Sequence, residues 1–168
     1  MKRSIFTLIT ISFLFGIFDF HYQNTISPIF SKIFGNSNNP LQLIPLFIYM
    51  LLPWYLLSLY VYIKSKKEKL ISLKILTLRT ILAYLISVIS YYLHYVFLLF
   101  FVGLPNFENM VLNFSIQNIR YAFIQLFLPG VIEWSIGAIV LGLLISVFNY
   151  FVIPTIRRFT EKEKKDIF

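Results

Sequence analysis

ILTLRTILAYLISVISYYLHYVFLLFFV, residues 75–102, is the stretch that decides the fold. Tyrosines aside, its only ionisable side chains are Arg79 and His94. At 1.5 Å per residue a helix of this length is about 42 Å long, against a hydrocarbon core of about 30 Å. Such a helix crosses a bilayer and then tilts or projects past one interface. The whole chain has the same character: 58% of residues are hydrophobic, 13% are charged and the mean hydropathy is +0.78. A soluble domain carries about 25% charged residues. That composition excludes an ordinary soluble globule and a disordered chain.

Outward from this stretch, three further runs read as spans. Upstream, Lys2 and Arg3 precede an apolar run over residues 5–18. This has the outline of a signal peptide, but Ile17, Phe18, Asp19 and Phe20 follow Gly16 with no small-x-small cleavage site, so residues 4–22 are read as an uncleaved first span. Residues 23–40, with Pro28, Gly35 and Asn36-Ser37-Asn38-Asn39-Pro40, read as a polar loop with an interfacial stretch at 29–34. The second span is 41–63, with Pro45 in its first turn and Pro53 as a mid-span kink. Downstream, Gly103-Leu104-Pro105-Asn106 ends the third span. Segment 107–128 sets Asn109, Asn113, Gln117 and Arg120 against Ile116, Ile119, Phe123 and Leu126, an amphipathic pattern that lies in the interface or re-enters the membrane. Pro129-Gly130 breaks it, and the fourth span is 131–153, stopped by Pro154 ahead of a charged tail at 155–168. The expectation is one domain: an all-α integral membrane protein with four transmembrane helices and an extra amphipathic or re-entrant helix between the third and fourth. The layout is similar to that of many small four-span bacterial membrane proteins.

The charge balance is 15 Lys and Arg against 7 Asp and Glu, formally +8. With the N-terminus inside, 13 of the 15 basic residues fall on one side, at Lys2, Arg3, 64–79 and 157–165, and only Lys32 and Arg120 fall on the other. The positive-inside rule therefore places both termini inside. The excess sets orientation and can attract anionic lipid; it is not a nucleic-acid patch. The expected location is a cell membrane of bacterial inner-membrane type.

Small and weakly polar residues let membrane helices approach closely. Three stripes are expected to face one another: Ser12, Gly16, Asp19 and Gln23; Thr80, Ala83, Ser87, Ser90 and His94; and Ser135, Ala138, Gly142, Ser146 and Asn149. The second span has no such stripe and reads as facing lipid or a partner. Ionisable residues within spans are candidate sites. Asp19, His21, His94 and Glu133 all fall on the outer half, and Arg120 on the outer loop can join them. They suggest a polar pocket for a cation, a basic head group or protons. Each also has a structural explanation: Glu133 suits the positive end of a helix dipole, Asp19 and His21 suit the wet end of a span, and a buried His94 can simply bond a neighbouring Ser or Tyr. Arg79 reads as a snorkelling anchor.

No cysteine is present, which excludes thiolate chemistry. The two histidines read as lying at different depths, which argues against axial haem ligation. No HExxH pair, Gly-rich phosphate loop or GxSxG elbow occurs, so no metal and no cofactor is expected. Asn113-Phe114-Ser115 matches a glycosylation sequon. The expected function is that of a non-enzymatic accessory or scaffold subunit of a membrane complex, or of a homo-oligomer. The alternatives are a small transporter or channel component using the outer polar residues, and a membrane-embedded enzyme acting on lipid-linked substrates.

Overall fold

The stretch around residues 75–102 forms the central helix of an all-helical bundle in the computed structural model, which describes residues 2–34, 43–69, 72–102 and 111–166. In chain order the elements are α1 (Lys2–Phe34), α2 (Leu43–Lys67), α3 (Leu73–Phe101), α4 (Ile116–Tyr121), a π-helical segment (Ala122–Phe127) and α5 (Leu128–Asp166). No strand occurs among the described residues. Among the described residues, three stretches are long and apolar enough to cross a membrane: Ser4–Ile26, Leu73–Phe101 and Ile116–Thr155.

The helix ends follow from local chemistry. Ser72 caps α3 by accepting from the Ile75 N–H at 3.3 Å. Upstream, Lys69 takes a left-handed conformation with φ 57° and closes α2 through its N–H to the Lys66 carbonyl at 3.1 Å. Ser115 caps α4 by accepting from the Asn118 N–H at 3.1 Å.

Four sequence expectations are corrected. Residues 23–34 are helix, not loop, and α1 runs through Pro28 to Phe34. The polar residues that suggested a loop bond back onto their own helix: Gln23 to Asp19 Oδ1, Asn24 to the Phe20 carbonyl and Thr25 to the His21 carbonyl. Gly35 and the 36–40 cluster lie outside the described residues, as do Leu41, Gln42 and residues 103–110.

Second, Pro129-Gly130 does not separate an amphipathic helix from the last span. Helix runs without interruption from Ile116 to Asp166. A π turn stands directly ahead of Pro129, with the Leu128 N–H bonded to the Phe123 carbonyl five residues back. A proline ring collides with the carbonyl four residues before it, and a wider turn just upstream is a standard way to carry a helix past it. Gly130 makes a close approach rather than a break. A Cβ there would lie 2.2 Å from the Tyr92 ring.

Third, Pro154 does not end α5, which continues to Asp166.

Fourth, α2 is not a bystander. It buries Pro53, Trp54, Leu57, Ser58, Val61, Tyr62 and Ser65 on one face, and it packs on α1, α3 and α5.

The core joins all four long helices through Leu8, Trp54, Leu57, Val61, Leu76, Ala83, Tyr84, Val88 and Ala138. The exterior is also apolar: Ile132, Ile136, Val140, Leu144 and Phe151 of α5 are all exposed. A water-soluble surface does not carry such a continuous run.

α3 is the hub. Its main packing partners are α1 on one side and α5 on another. Against α1, Ser87 donates to the Ser12 carbonyl at 3.0 Å and Ser90 to the Phe13 carbonyl at 2.5 Å. Gly16 lies so near that a Cβ would stand 2.2 Å from the Ser87 carbonyl oxygen. Against α5, Thr77 and Ser146 share a hydrogen bond of 2.9 Å, and Gly142 meets Ile81. The α1 and α3 stripes therefore meet directly, whereas the α5 stripe meets the Thr77–Ile81 side of α3. Asn149, at the C-terminal end of that stripe, donates to Ser58 of α2 at 2.7 Å.

Candidate functional site

The candidate polar residues sort into separate places rather than one pocket. Asp19, Phe20 and His21 follow one another on α1 and so point in three directions. Asp19 is buried and faces α2, with Gln23 Nε2 donating to its Oδ1 at 3.2 Å and the Trp54 indole N–H directed at the same carboxyl. The same Gln23 nitrogen reaches the Met50 carbonyl at 3.1 Å, and Tyr22 donates to the Tyr49 carbonyl at 3.0 Å. These bonds tie α1 to the first half of α2. Gln23 Oε1 is buried and makes no hydrogen bond.

Phe20 is buried against α3, with Tyr91 and Tyr95 around it. His21, on the remaining side, meets His94 of α3, with the two Nε2 atoms 3.0 Å apart. The sequence placed these histidines at different depths, and the structure places them at the same level. The error came from counting each helix from its apolar boundary. α1 extends 13 residues beyond His21, to Phe34, so its boundary is not where the polar residues begin. The 3.0 Å spacing does not suit axial haem ligation. Two metal–imidazole bonds of about 2.0–2.1 Å in line need nitrogens about 4 Å apart.

Glu133 and Arg120 are both exposed. Among the described residues, no group of three or more His, Asp or Glu side chains comes together in a way that could hold a metal ion.

At this end of the bundle a cleft of about 340 Å³ opens between α1, α3 and the π segment. Its walls are Phe20, Asn24, Tyr91, Tyr92, Tyr95, Gln125, Leu126, Pro129 and Gly130. None of the five candidate ionisable residues lines it.

The opposite end holds a polar cluster that sequence reasoning missed. Arg79 Nη1 pairs with Glu68 Oε2 at 2.7 Å and donates to Ser65 Oγ at 3.2 Å. Arg79 Nη2 reaches Ser4 Oγ, which itself donates to Glu68 Oε1. Lys64 Nζ donates to the Ser4 carbonyl at 3.1 Å. Arg79 is thus held by the loop rather than free to snorkel, and the cluster fastens α1, the end of α2 and α3 together. The Ser4 hydroxyl, then the Arg79 guanidinium, hold the Glu68 carboxyl below its ordinary range. A signal existed in the sequence: Glu68 is the single acid within the basic run 64–69, eleven residues before Arg79.

A second missed contact is Tyr84, which is buried and donates to the Trp54 carbonyl at 2.6 Å while its ring stands edge-on to the indole. The carbonyl that Pro53 leaves without its helical donor is that of Tyr49, four residues back, and Tyr22 supplies the missing donor.

No protein-family model, curated protein or solved structure matches this chain.

Proposed function

We propose that this chain is a four-span membrane protein with both termini on the cytoplasmic side, acting as a non-enzymatic subunit of a membrane complex. α2, at 25 residues, is about 38 Å long and serves as the fourth span. The basic residues at 2–3, 64–79 and 157–165 then share the inner side, where they can hold anionic lipid. The observation that carries the functional reading is how the polar groups are used. Ser87, Ser90, Tyr84, Asn149, Thr77 and Ser146 each bond another helix, and the ionisable residues are dispersed rather than gathered round a substrate. Polar residues in this arrangement make a rigid body with an apolar outer face, the property a partner-binding subunit needs.

Co-purification from native membranes in mild detergent tests this reading. A stoichiometric partner, or a stable self-assembly, is expected; a monodisperse monomer with no partner would refute it. A cytoplasm-only reporter fused after Phe168 is expected to be active.

A small-solute carrier is the second reading. It is favoured by the tyrosine-lined cleft and by the unpartnered Gln23 oxygen in the same half of the bundle. Under it, Gln125→Ala in the cleft wall abolishes transport; under the first reading, the same change leaves partner capture intact.

A further inference from the structure

The chain has two histidines and no cysteine, and the fold brings both imidazoles to one spot from helices 73 residues apart in sequence. We propose that His21 and His94 form a two-imidazole site for a divalent transition-metal ion, Cu²⁺ before Zn²⁺. The proposal stands apart from the subunit reading above.

The spacing fits ligation. With metal–nitrogen bonds of about 2.0–2.1 Å, two imidazoles at a right angle hold their nitrogens about 2.9 Å apart, and at a tetrahedral angle about 3.3 Å. The Nε2 separation of 3.0 Å falls between these values. The rings are also held in place. Phe20 stands edge-on to His21 at 5.4 Å and to His94 at 5.3 Å, and Phe97 stacks on His94 with 14° between the planes. Little side-chain freedom remains to be lost on binding.

The hydrogen bond between the two rings requires one of them to carry its proton on Nε2. Ligation requires that ring to carry it on Nδ1 instead. Both rings stay neutral, so the exchange needs no net proton transfer to solvent.

The donor set selects the ion. No third His, Asp or Glu joins the pair among the described residues, and Asp19 is turned toward Gln23 and Trp54. Without carboxylate oxygens the site does not suit Ca²⁺ or Mg²⁺. Neutral nitrogen donors favour copper and then zinc. His21 is exposed and His94 half-buried, so the pair opens onto the surface of the bundle rather than into its core.

The test uses the untagged full chain in detergent micelles, titrated with Cu²⁺ and followed by electron paramagnetic resonance. One copper per chain with two imidazole nitrogens is expected, and His21→Ala or His94→Ala is expected to lose the two-nitrogen signal. Because the chain holds only these two histidines, the wild-type spectrum decides the matter even if a variant fails to fold. In parallel, Zn²⁺ is expected to protect both histidines from diethyl pyrocarbonate. One or no imidazole nitrogen per copper, or equal modification rates with and without Zn²⁺, would show a hydrogen-bonded pair only and overturn the proposal.

Discussion

The two faces of α3 are built differently. Toward α1 the contact is backbone on backbone: Gly16 stands against the Ser87 carbonyl, and two serines donate across to main-chain oxygens. Toward α5 the contact is side chain on side chain: Thr77 bonds Ser146, and Gly142 rests on the Ile81 side chain and the start of its backbone. Both helices present small residues at similar spacing, yet only one glycine is forced by a neighbour that cannot move. The difference separates a stripe that permits close approach from one whose bonds require it.

Substitutions can break or sharpen that contrast. The largest effect is expected at Gly16→Ala, where a Cβ would meet main-chain oxygen at 2.2 Å and the Ser90 Cβ at 2.8 Å. α1 must shift, at a cost of about 1–3 kcal/mol read from unfolding in detergent. Gly142→Ala meets Ile81 Cγ1 at 3.1 Å and the Ile81 backbone at 3.3 and 3.4 Å, contacts that a shift of a few tenths of an ångström relieves. Its expected loss is below about 1 kcal/mol. Equal losses at the two glycines would erase the distinction between the faces. Gly137→Ala is the control on the same helix as Gly142. Nothing lies within 4 Å of its Cβ position, so the gain in helix propensity is expected to stand alone at roughly 0.5–1 kcal/mol.

Glu68→Gln probes the fastening at the end of the α1–α3 contact and is expected to cost about 0.2–1 kcal/mol at neutral pH. The sign of its pH dependence follows from the lowered carboxyl pKa. The contribution is full above the ordinary glutamate value of 4.5 and is lost as pH falls below it, when the carboxyl protonates. A pH titration of stability for wild type and Glu68→Gln is expected to converge in acid. A constant gap between them would remove the ion pair from the account.

Much of this could be read before any coordinates. The apolar run at 75–102 became α3 at Leu73–Phe101, because uninterrupted apolar sequence leaves the backbone no partner but itself. The small residues at Ser12, Gly16, Ser87 and Ser90 could be picked out by spacing alone. Helix ends were misread wherever a proline was taken as a terminus. Pro28, Pro129 and Pro154 all lie inside helices, because losing one hydrogen bond costs less than unwinding a long apolar helix. The lone acid Glu68 in its basic run was a signal for the Arg79 cluster, but the histidine pair was not legible, since it depends on the relative height of two helices. Local periodicity does not carry that height. Two of the outer candidates, Glu133 and Arg120, sit exposed on the surface, and nothing in the residue types distinguished them from the buried Asp19.

The most direct test of the account is a disulfide cross-link between α1 and α3 in membranes. The chain has no cysteine, so introduced pairs report without background. Ser12→Cys with Ser87→Cys joins two buried positions that face each other across the contact. Leu14→Cys with Ser87→Cys is the control, since Leu14 is 59% exposed and turned away from α3. Under mild oxidation the first pair is expected to form an intramolecular disulfide and the second is not. Equal cross-linking of both pairs, or cross-linking of the control alone, would contradict the backbone-on-backbone contact on which the bundle rests.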